Sequence, residues 1–225
     1  MTRSLAFQPA TRDQQSILTT IEKRTLLWLA ARLPQWVHPD HLTVLGFAGM
    51  ILAGVSYYLA RWDRRMLLVS ILFLAINWFG DSLDGTLARY RNRLRPRYGF
   101  YVDHIVDAFG TLFLVAGLGL SGYMSMSVAM AFLIAYYLMS IEIYLATYTV
   151  GVFKLSFGIW GPTELRVVLA IGNIALMFKP HVIIAGHPYL LADVGAAVAI
   201  PCIVAIAIIG SLRNSARLYD EERLH

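Results

Sequence analysis

The chain has 225 residues, 58% of them hydrophobic, with a mean hydropathy of +0.60 and a formal net charge of +5. A soluble domain averages about 45–50% apolar residues, so the composition excludes an ordinary soluble globule and leaves little room for any large soluble domain. The single cysteine, Cys202, cannot form an internal disulfide and, inside an apolar run, reads as a small buried packing residue.

The start, Met1 to Gln15, is polar and lacks the apolar core and small-residue cleavage site of a signal peptide, so none is expected. Ser16 to Leu33 follows, with Ile17, Ile21, Trp28 and Leu29 roughly on one helical face and Pro34 at its end. An amphipathic helix lying on the cytoplasmic leaflet fits this segment, with an irregular tail as the alternative.

A membrane span needs ~20 mainly apolar residues, and six such stretches are expected. They run from about Leu42 to Ala60, Met66 to Ala88, Tyr101 to Leu120 and Ser127 to Val150, then from Leu165 (or Pro162) to Phe178 and from Leu190 to Leu212. The fold class is therefore all-α integral membrane. The whole of 1–225 reads as one domain: a tail with the interfacial helix over 1–37, a six-helix bundle over 38–212 and a tail over 213–225. The connecting loops are short, so neighbouring helices pack antiparallel.

With six spans, both termini and the second and fourth loops share one side. That side carries fifteen basic residues, from Arg3 and Arg12 through the loop Arg89–Arg97 and Lys154 to Arg223. The other side has Arg61, Arg64, Arg65 and Lys179. This excess predicts both termini in the cytoplasm. Gly46, Gly49 and Gly54 in the first span and Gly110, Gly117 and Gly119 in the third read as close-packing positions. Pro201 is expected to kink the sixth span, and Trp28, Trp36, Trp62, Trp78 and Trp160 fall near span ends as an aromatic belt would.

The second and third spans hold four aspartates where hydrocarbon-embedded helices rarely have any. Asp81 and Asp84 are three apart, and Asp103 and Asp107 four apart, so each pair lies on one helical face. The short loop Tyr90–Tyr98 makes the two helix ends neighbours, and the four carboxylates can converge. A carboxylate near hydrocarbon is costly and generally functional. A carboxylate-only set favours hard cations such as Mg²⁺ or Mn²⁺, and two such ions ~3.5–4 Å apart form a clamp suited to phosphoryl chemistry. Asp81 lies eight residues before Arg89, ~12 Å below the arginine loop, in the cytoplasmic half of the bilayer. Gly85 leaves room for a ligand beside the backbone. Arg91 to Arg97 read chiefly as a positive-inside anchor on anionic lipid, whereas Arg89 is fixed in helical register with Asp81 and Gly85.

The pattern D-x2-D-G-x2-A-R-x9-G-x3-D-x3-D closely resembles the signature of the CDP-alcohol phosphotransferases, integral membrane enzymes that make phospholipids. Pro39-Asp40-His41-Leu42-Thr43 is similar to the family's P-N-x-x-T lead-in, with Asp40 in place of the asparagine. The resemblance implies that Asp81, Asp84 and Asp103 are metal ligands, with Asp107 sharing the second of two Mg²⁺ or Mn²⁺ ions. Asp107 would also be the base that deprotonates the attacking hydroxyl. Thr43, Asp81, Asp84, Gly85, Ala88 and Arg89 would bind the CDP-linked donor, and CMP would leave. A homodimer, a lipid substrate, a cytoplasm-facing site and a bacterial or archaeal inner membrane are further implications. No nucleic-acid partner is implied.

Glu164 and Arg166, at the opening of the fifth span, are candidates for the acceptor site, with helix capping as the alternative. Gly161-Pro162-Thr163-Glu164 is similar to the G-P-x-E of choline- and ethanolamine-phosphotransferases. The G-K-x-K-T pattern of phosphatidylinositol-phosphate synthases is absent. Asn77 is one turn before Asp81. His104 points away from Asp103, and His181 and His187 fall on the far side. Glu142 is an intramembrane charge suited to a site wall or a helix contact. The expected reaction moves a substituted phosphate from a CDP-linked donor, CDP-diacylglycerol by preference, to an alcohol hydroxyl. The alternative is an aminoalcohol transfer from CDP-choline or CDP-ethanolamine to a lipid alcohol. An intramembrane prenyltransferase and a cation transporter are the remote alternatives.

Overall fold

The computed structural model of the chain describes residues 11–13, 19–154 and 162–223. Arg3, Ile17, Trp160 and Gly161 lie outside the described residues, as do the side chains of Arg12, Ile21 and Lys154. Among the described residues there are seven helices: α1 (Thr19–Arg32), α2 (Pro39–Leu59), α3 (Met66–Tyr90), α4 (Pro96–Leu120), α5 (Met126–Val150), α6 (Pro162–Phe178) and α7 (Leu191–Glu221). Two short strand pairs accompany them. β1 (Thr11–Asp13) runs parallel to β2 (Val152–Lys154), and β3 (His181–Ile184) pairs antiparallel with β4 (His187–Leu190). The β3–β4 turn is made by Ala185 and Gly186, both at positive φ (51° and 82°), as a two-residue hairpin requires.

Five helices, α2 to α5 and α7, are long and apolar enough to cross a bilayer, so the molecule is an all-α membrane fold. α6 has 17 residues, at the lower edge of spanning length. Helix ends depart from the expected bounds where proline sets them. Pro39 and Pro96 start α2 and α4 a few residues early, because a first-turn proline lacks only an amide that would be unpaired there. α7 runs past Leu212 to Glu221 with Pro201 inside it, so most of the expected polar tail is a helical extension.

α2 packs between α3 and α4, α4 packs on α5, and α5 on α7; α6 and α1 lie against α3. The α2–α3 seam is backbone on backbone. A Cβ added at Gly49 would stand 2.8 Å from the backbone nitrogen of Asn77, and one at Gly80 2.5 Å from that of Gly46. At the α2–α4 seam a Cβ on Gly117 would run into the Gly54 backbone, and one on Gly54 into the Phe113 carbonyl. These close approaches bring polar groups on α2 within reach of α3. Ala53, Tyr57, Leu67 and Leu74 fill the core beside them.

α1 also packs on the bundle. Leu26 and Ala30, with Leu29 and Leu33, pack on Leu83 and Leu87 of α3, a regular i, i+3, i+4, i+7 stripe. Trp28 is exposed, with the Arg32 guanidinium 3.8 Å above its ring. Cys202 is exposed rather than buried, because that side of α7 has no neighbour among the described residues.

Candidate active site

The turn between α3 and α4 spans residues 91–95 and is built by arginines. The Arg91 guanidinium donates to the carbonyls of Val37 (2.5 Å), Leu33 (2.8 Å) and Pro34 (3.0 Å), the chain ends that leave α1 and enter α2. Arg95 forms an ion pair with Asp40 and stacks on Tyr98. Arg93 lies 3.4 Å from the ring nitrogen Nδ1 of His38. The expectation that Arg91–Arg97 serve chiefly as a lipid anchor gives way for Arg91 and Arg95, which tie the α1–α2 connection to the α3–α4 turn. The Arg95 pair also gives Asp40, the residue that departs from the family's lead-in, a partner.

Below this turn the acids meet. Carboxylate oxygens of Asp81 on α3 and of Asp103 and Asp107 on α4 lie within 4.8 Å of one another, all half-buried. Asp84 lines the same small cavity, together with Thr43, Gly46, Phe47, Asn77 and Val106. Its Oδ2 accepts a 2.6 Å hydrogen bond from Thr43 Oγ1, and its Oδ1 accepts from the backbone N–H of Gly85. The Gly46–Gly80 approach is what lets Thr43 of α2 reach Asp84 of α3.

Arg166 enters from α6. Its Nη2 donates to Asp81 Oδ2 at 2.6 Å and its Nε to Asn77 Oδ1 at 3.0 Å. Asn77 in turn donates to the Gly46 carbonyl at 3.0 Å, which makes it both a helix–helix contact and a support for Arg166. Glu164, in the first turn of α6, is buried. Arg89 reaches Thr86 Oγ1 at 3.3 Å. Ala88 is buried and its carbonyl accepts from the Arg93 N–H. Gly85 differs from the seam glycines: a Cβ there would meet only the Arg89 guanidinium, at 3.6 Å. The space before it is open to a ligand.

On the α5 side, His104 contacts the Phe100 carbonyl at 2.5 Å and stands edge-on to Tyr144. Its Nδ1 is 4.0 Å from Asp103 Oδ2, so it belongs to the helix packing rather than to the carboxylate trio. Glu142 accepts from Asn214 Nδ2 at 2.7 Å and is a helix contact between α5 and α7. Sequence reasoning missed Glu22 on α1, whose Oε1 accepts from Trp78, Ser82 and Thr163. The only hint was an acid inside a segment otherwise suited to an anionic membrane surface.

The donor set fits a hard divalent ion. It is all carboxylate oxygen, and three such groups so close repel one another unless cations stand between them. Arg166 reaches one of the three. The family model for CDP-alcohol phosphatidyltransferases matches residues 36–210. The chain belongs to this family. The match takes in Thr43, the four aspartates, Gly85, Ala88, Arg89, Glu164 and Arg166 and ends before the α7 extension. Over 104 residues the chain is 31% identical to the archaetidylinositol phosphate synthase of Pyrococcus horikoshii. That stretch covers 46% of this chain and 52% of the relative, about half of each. The family is one of phosphotransferase enzymes that use a divalent metal.

Proposed function

We propose that the chain moves the phosphatidyl group of CDP-diacylglycerol to the hydroxyl of a small phosphorylated polyol, with release of CMP. The acceptor oxygen bonds to the lipid-bearing phosphorus, the bond from that phosphorus to the CMP oxygen breaks, and the hydroxyl proton passes to Asp107. The observation that carries this reading is the convergence of Asp81, Asp103 and Asp107 within 4.8 Å under a guanidinium from α6. Asp81, Asp84, Asp103 and Asp107 are the residues to hold two Mg²⁺ or Mn²⁺ ions. Bound there, these ions would neutralise charge on the diphosphate as it breaks.

Thr43 orients Asp84 through its hydrogen bond. Gly85 leaves open the space in which the diphosphate can lie against the backbone, with Arg89 beside it. Arg166 is the group at the acceptor side, where a planar guanidinium suits a second phosphate. A cation there disfavours the quaternary ammonium of a choline substrate, so the aminoalcohol reading ranks second despite the G-P-x-E segment. The relative's name, which joins a lipid to inositol phosphate, supports the same acceptor class. The arginine-rich turn lies at the same helix ends as the acids. With the excess of basic residues on that side, this supports a cytoplasm-facing site with both termini cytoplasmic. A homodimer in a bacterial or archaeal inner membrane completes the proposal.

The test is CMP release by the purified protein in nanodiscs, with CDP-diacylglycerol and inositol phosphate plus Mg²⁺, and the lipid product read by mass spectrometry. Turnover only with CDP-choline or CDP-ethanolamine and diacylglycerol would replace this reading with the aminoalcohol one.

A further inference from the structure

α6 brings Arg166 to Asp81, yet its packing is almost entirely on α3, with a margin on α7. Three of its residues make four polar contacts that hold it in register: Thr163 donates to Glu22, Arg166 donates to Asn77 and Asp81, and Asn173 Oδ1 accepts from the hydroxyl of Tyr57 at 2.8 Å. Positions 163, 166 and 173 fall near one face of the helix. The first of these contacts comes from outside the bundle. Glu22, on α1, accepts on one carboxylate oxygen from Thr163 Oγ1 at 2.8 Å, Trp78 Nε1 at 3.0 Å and Ser82 Oγ at 3.3 Å.

The arrangement on α3 is paired. Trp78 and Ser82 form one i, i+4 track and are taken by Glu22. Asn77 and Asp81 form the adjacent track and are taken by Arg166. Thr163 and Arg166 are one turn apart on α6, so the two anchors act on the same stretch of helix. A carboxylate beside the first turn of α6 is also favoured by the helix dipole. Glu22 lies before residue 36, where the family match begins.

We propose that Glu22 is a positioning residue for the active site. It fixes the first turn of α6 on α3 and thereby sets the Arg166 guanidinium on Asp81. The proposal rests on the reading that Arg166 and Asp81 belong to the active site, but its structural part can be tested without substrate.

Spin labels at Tyr90→Cys on α3 and Val168→Cys on α6, both exposed positions, in a Cys202→Ala background, report the α3–α6 distance distribution by pulsed EPR. Glu22→Ala should broaden or shift that distribution. Glu22→Gln, which keeps an acceptor oxygen, should restore it. Thr163→Val cuts only the α6 contact and should behave like Glu22→Ala, which covers the case in which Glu22→Ala fails to fold. Lys23→Ala, at an exposed position of the same helix, should leave the distribution unchanged. In turnover with CDP-diacylglycerol and inositol phosphate, Glu22→Ala should raise the acceptor KM about tenfold, the loss of roughly one charge-assisted contact. The donor KM should stay within about twofold. A Glu22→Ala distribution identical to wild type, or a parallel rise in both KM values, overturns the proposal. If wild-type protein does not turn over these substrates, the substrate reading fails while the EPR result still decides the role of Glu22.

Discussion

Asp81 stands nine residues before Tyr90, the last of α3, and Glu142 eight before Val150, the last of α5, so each carboxylate lies ~12–14 Å along its helix from the adjoining loop. Their surroundings differ. Asp81 meets Asp103 and Asp107 within 4.8 Å, a guanidinium, and a small cavity. Glu142 meets one amide, from Asn214, and a notch over Gly210, where an added Cβ would come 3.0 Å from its carboxylate. Several acids that share a cavity repel one another unless a cation stands among them, and such a cluster points to chemistry. A single acid answered by an amide joins two helices. An intramembrane carboxylate is therefore read by its partners rather than by its depth.

The strongest way to break the comparison is to neutralise one acid in each place. Asp103→Asn should reduce CMP release to background, and Asp107→Asn should slow the single-turnover rate ~10²–10⁴-fold, as loss of a general base does. Asp103→Asn should cost little stability, since it removes mutual repulsion. Asp81→Asn should also lower the melting temperature, because it leaves the half-buried Arg166 guanidinium without its charge partner. CMP release and thermal unfolding measured together check all three. Retained activity in Asp103→Asn would remove that residue from the ion site.

Metal depletion applies the same test without mutation. Protein stripped with EDTA should be inactive and recover with Mg²⁺ or Mn²⁺, and poorly with Ca²⁺. Ca²⁺ takes looser coordination at ~2.3–2.6 Å and would misplace the reacting phosphate. Mn²⁺ binding read by EPR should be lost in Asp103→Asn and unchanged in Glu142→Gln. Binding that survives the first substitution would place the ion elsewhere.

Much of this was legible in the sequence, and the boundary between what was and was not has a physical basis. Spacings of three and four are local rules, so the aspartate pairs and the α3–α4 adjacency follow from sequence alone. Proline sets the first residues of α2 and α4 as it usually does. The contacts that complete the site are not local. Arg166 reaches Asp81 across 85 residues and Thr163 reaches Glu22 across 141. No periodicity encodes such a meeting; it depends on how α6 settles on α3. The packing of Leu26 and Ala30 on Leu83 and Leu87 was not legible in α1 either, because it too is a contact between helices far apart in sequence.

Each acid has a glycine opposite it, and these sharpen the contrast at smaller scale. Gly46→Ala would place a Cβ 3.1 Å from the backbone nitrogen of Asp81. Backbone cannot rotate away, so α3 should shift, with about 1–3 kcal/mol of stability lost and a clear fall in turnover. Gly210→Ala meets the end of the flexible Glu142 side chain at 3.0 Å, which can move. Its stability loss should be below about 1 kcal/mol, with Mn²⁺ affinity unchanged. Paired thermal melts and Mn²⁺ titrations rank the two. An equal loss of turnover in both would mean that the α5–α7 seam supports the site as directly as the α2–α3 seam does.

The smallest effect should come from Glu142→Gln. Asn214 donates its amide to Oε1, and glutamine presents an oxygen at the same place, so the hydrogen bond survives the loss of charge. A neutral side chain is also easier to hold in a membrane helix, which offsets any weakening of the bond. Turnover should stay within about threefold of wild type, and stability within about 0.5 kcal/mol in either direction. Glu142→Ala is the informative companion, because it removes the acceptor and leaves the Asn214 amide unpaired at a half-buried position. It should cost about 1–3 kcal/mol without changing Mn²⁺ affinity. If Glu142→Gln instead abolished CMP release while the protein stayed folded, the charge of Glu142 would be required for chemistry. The α5–α7 seam would then have to be regarded as part of the active site.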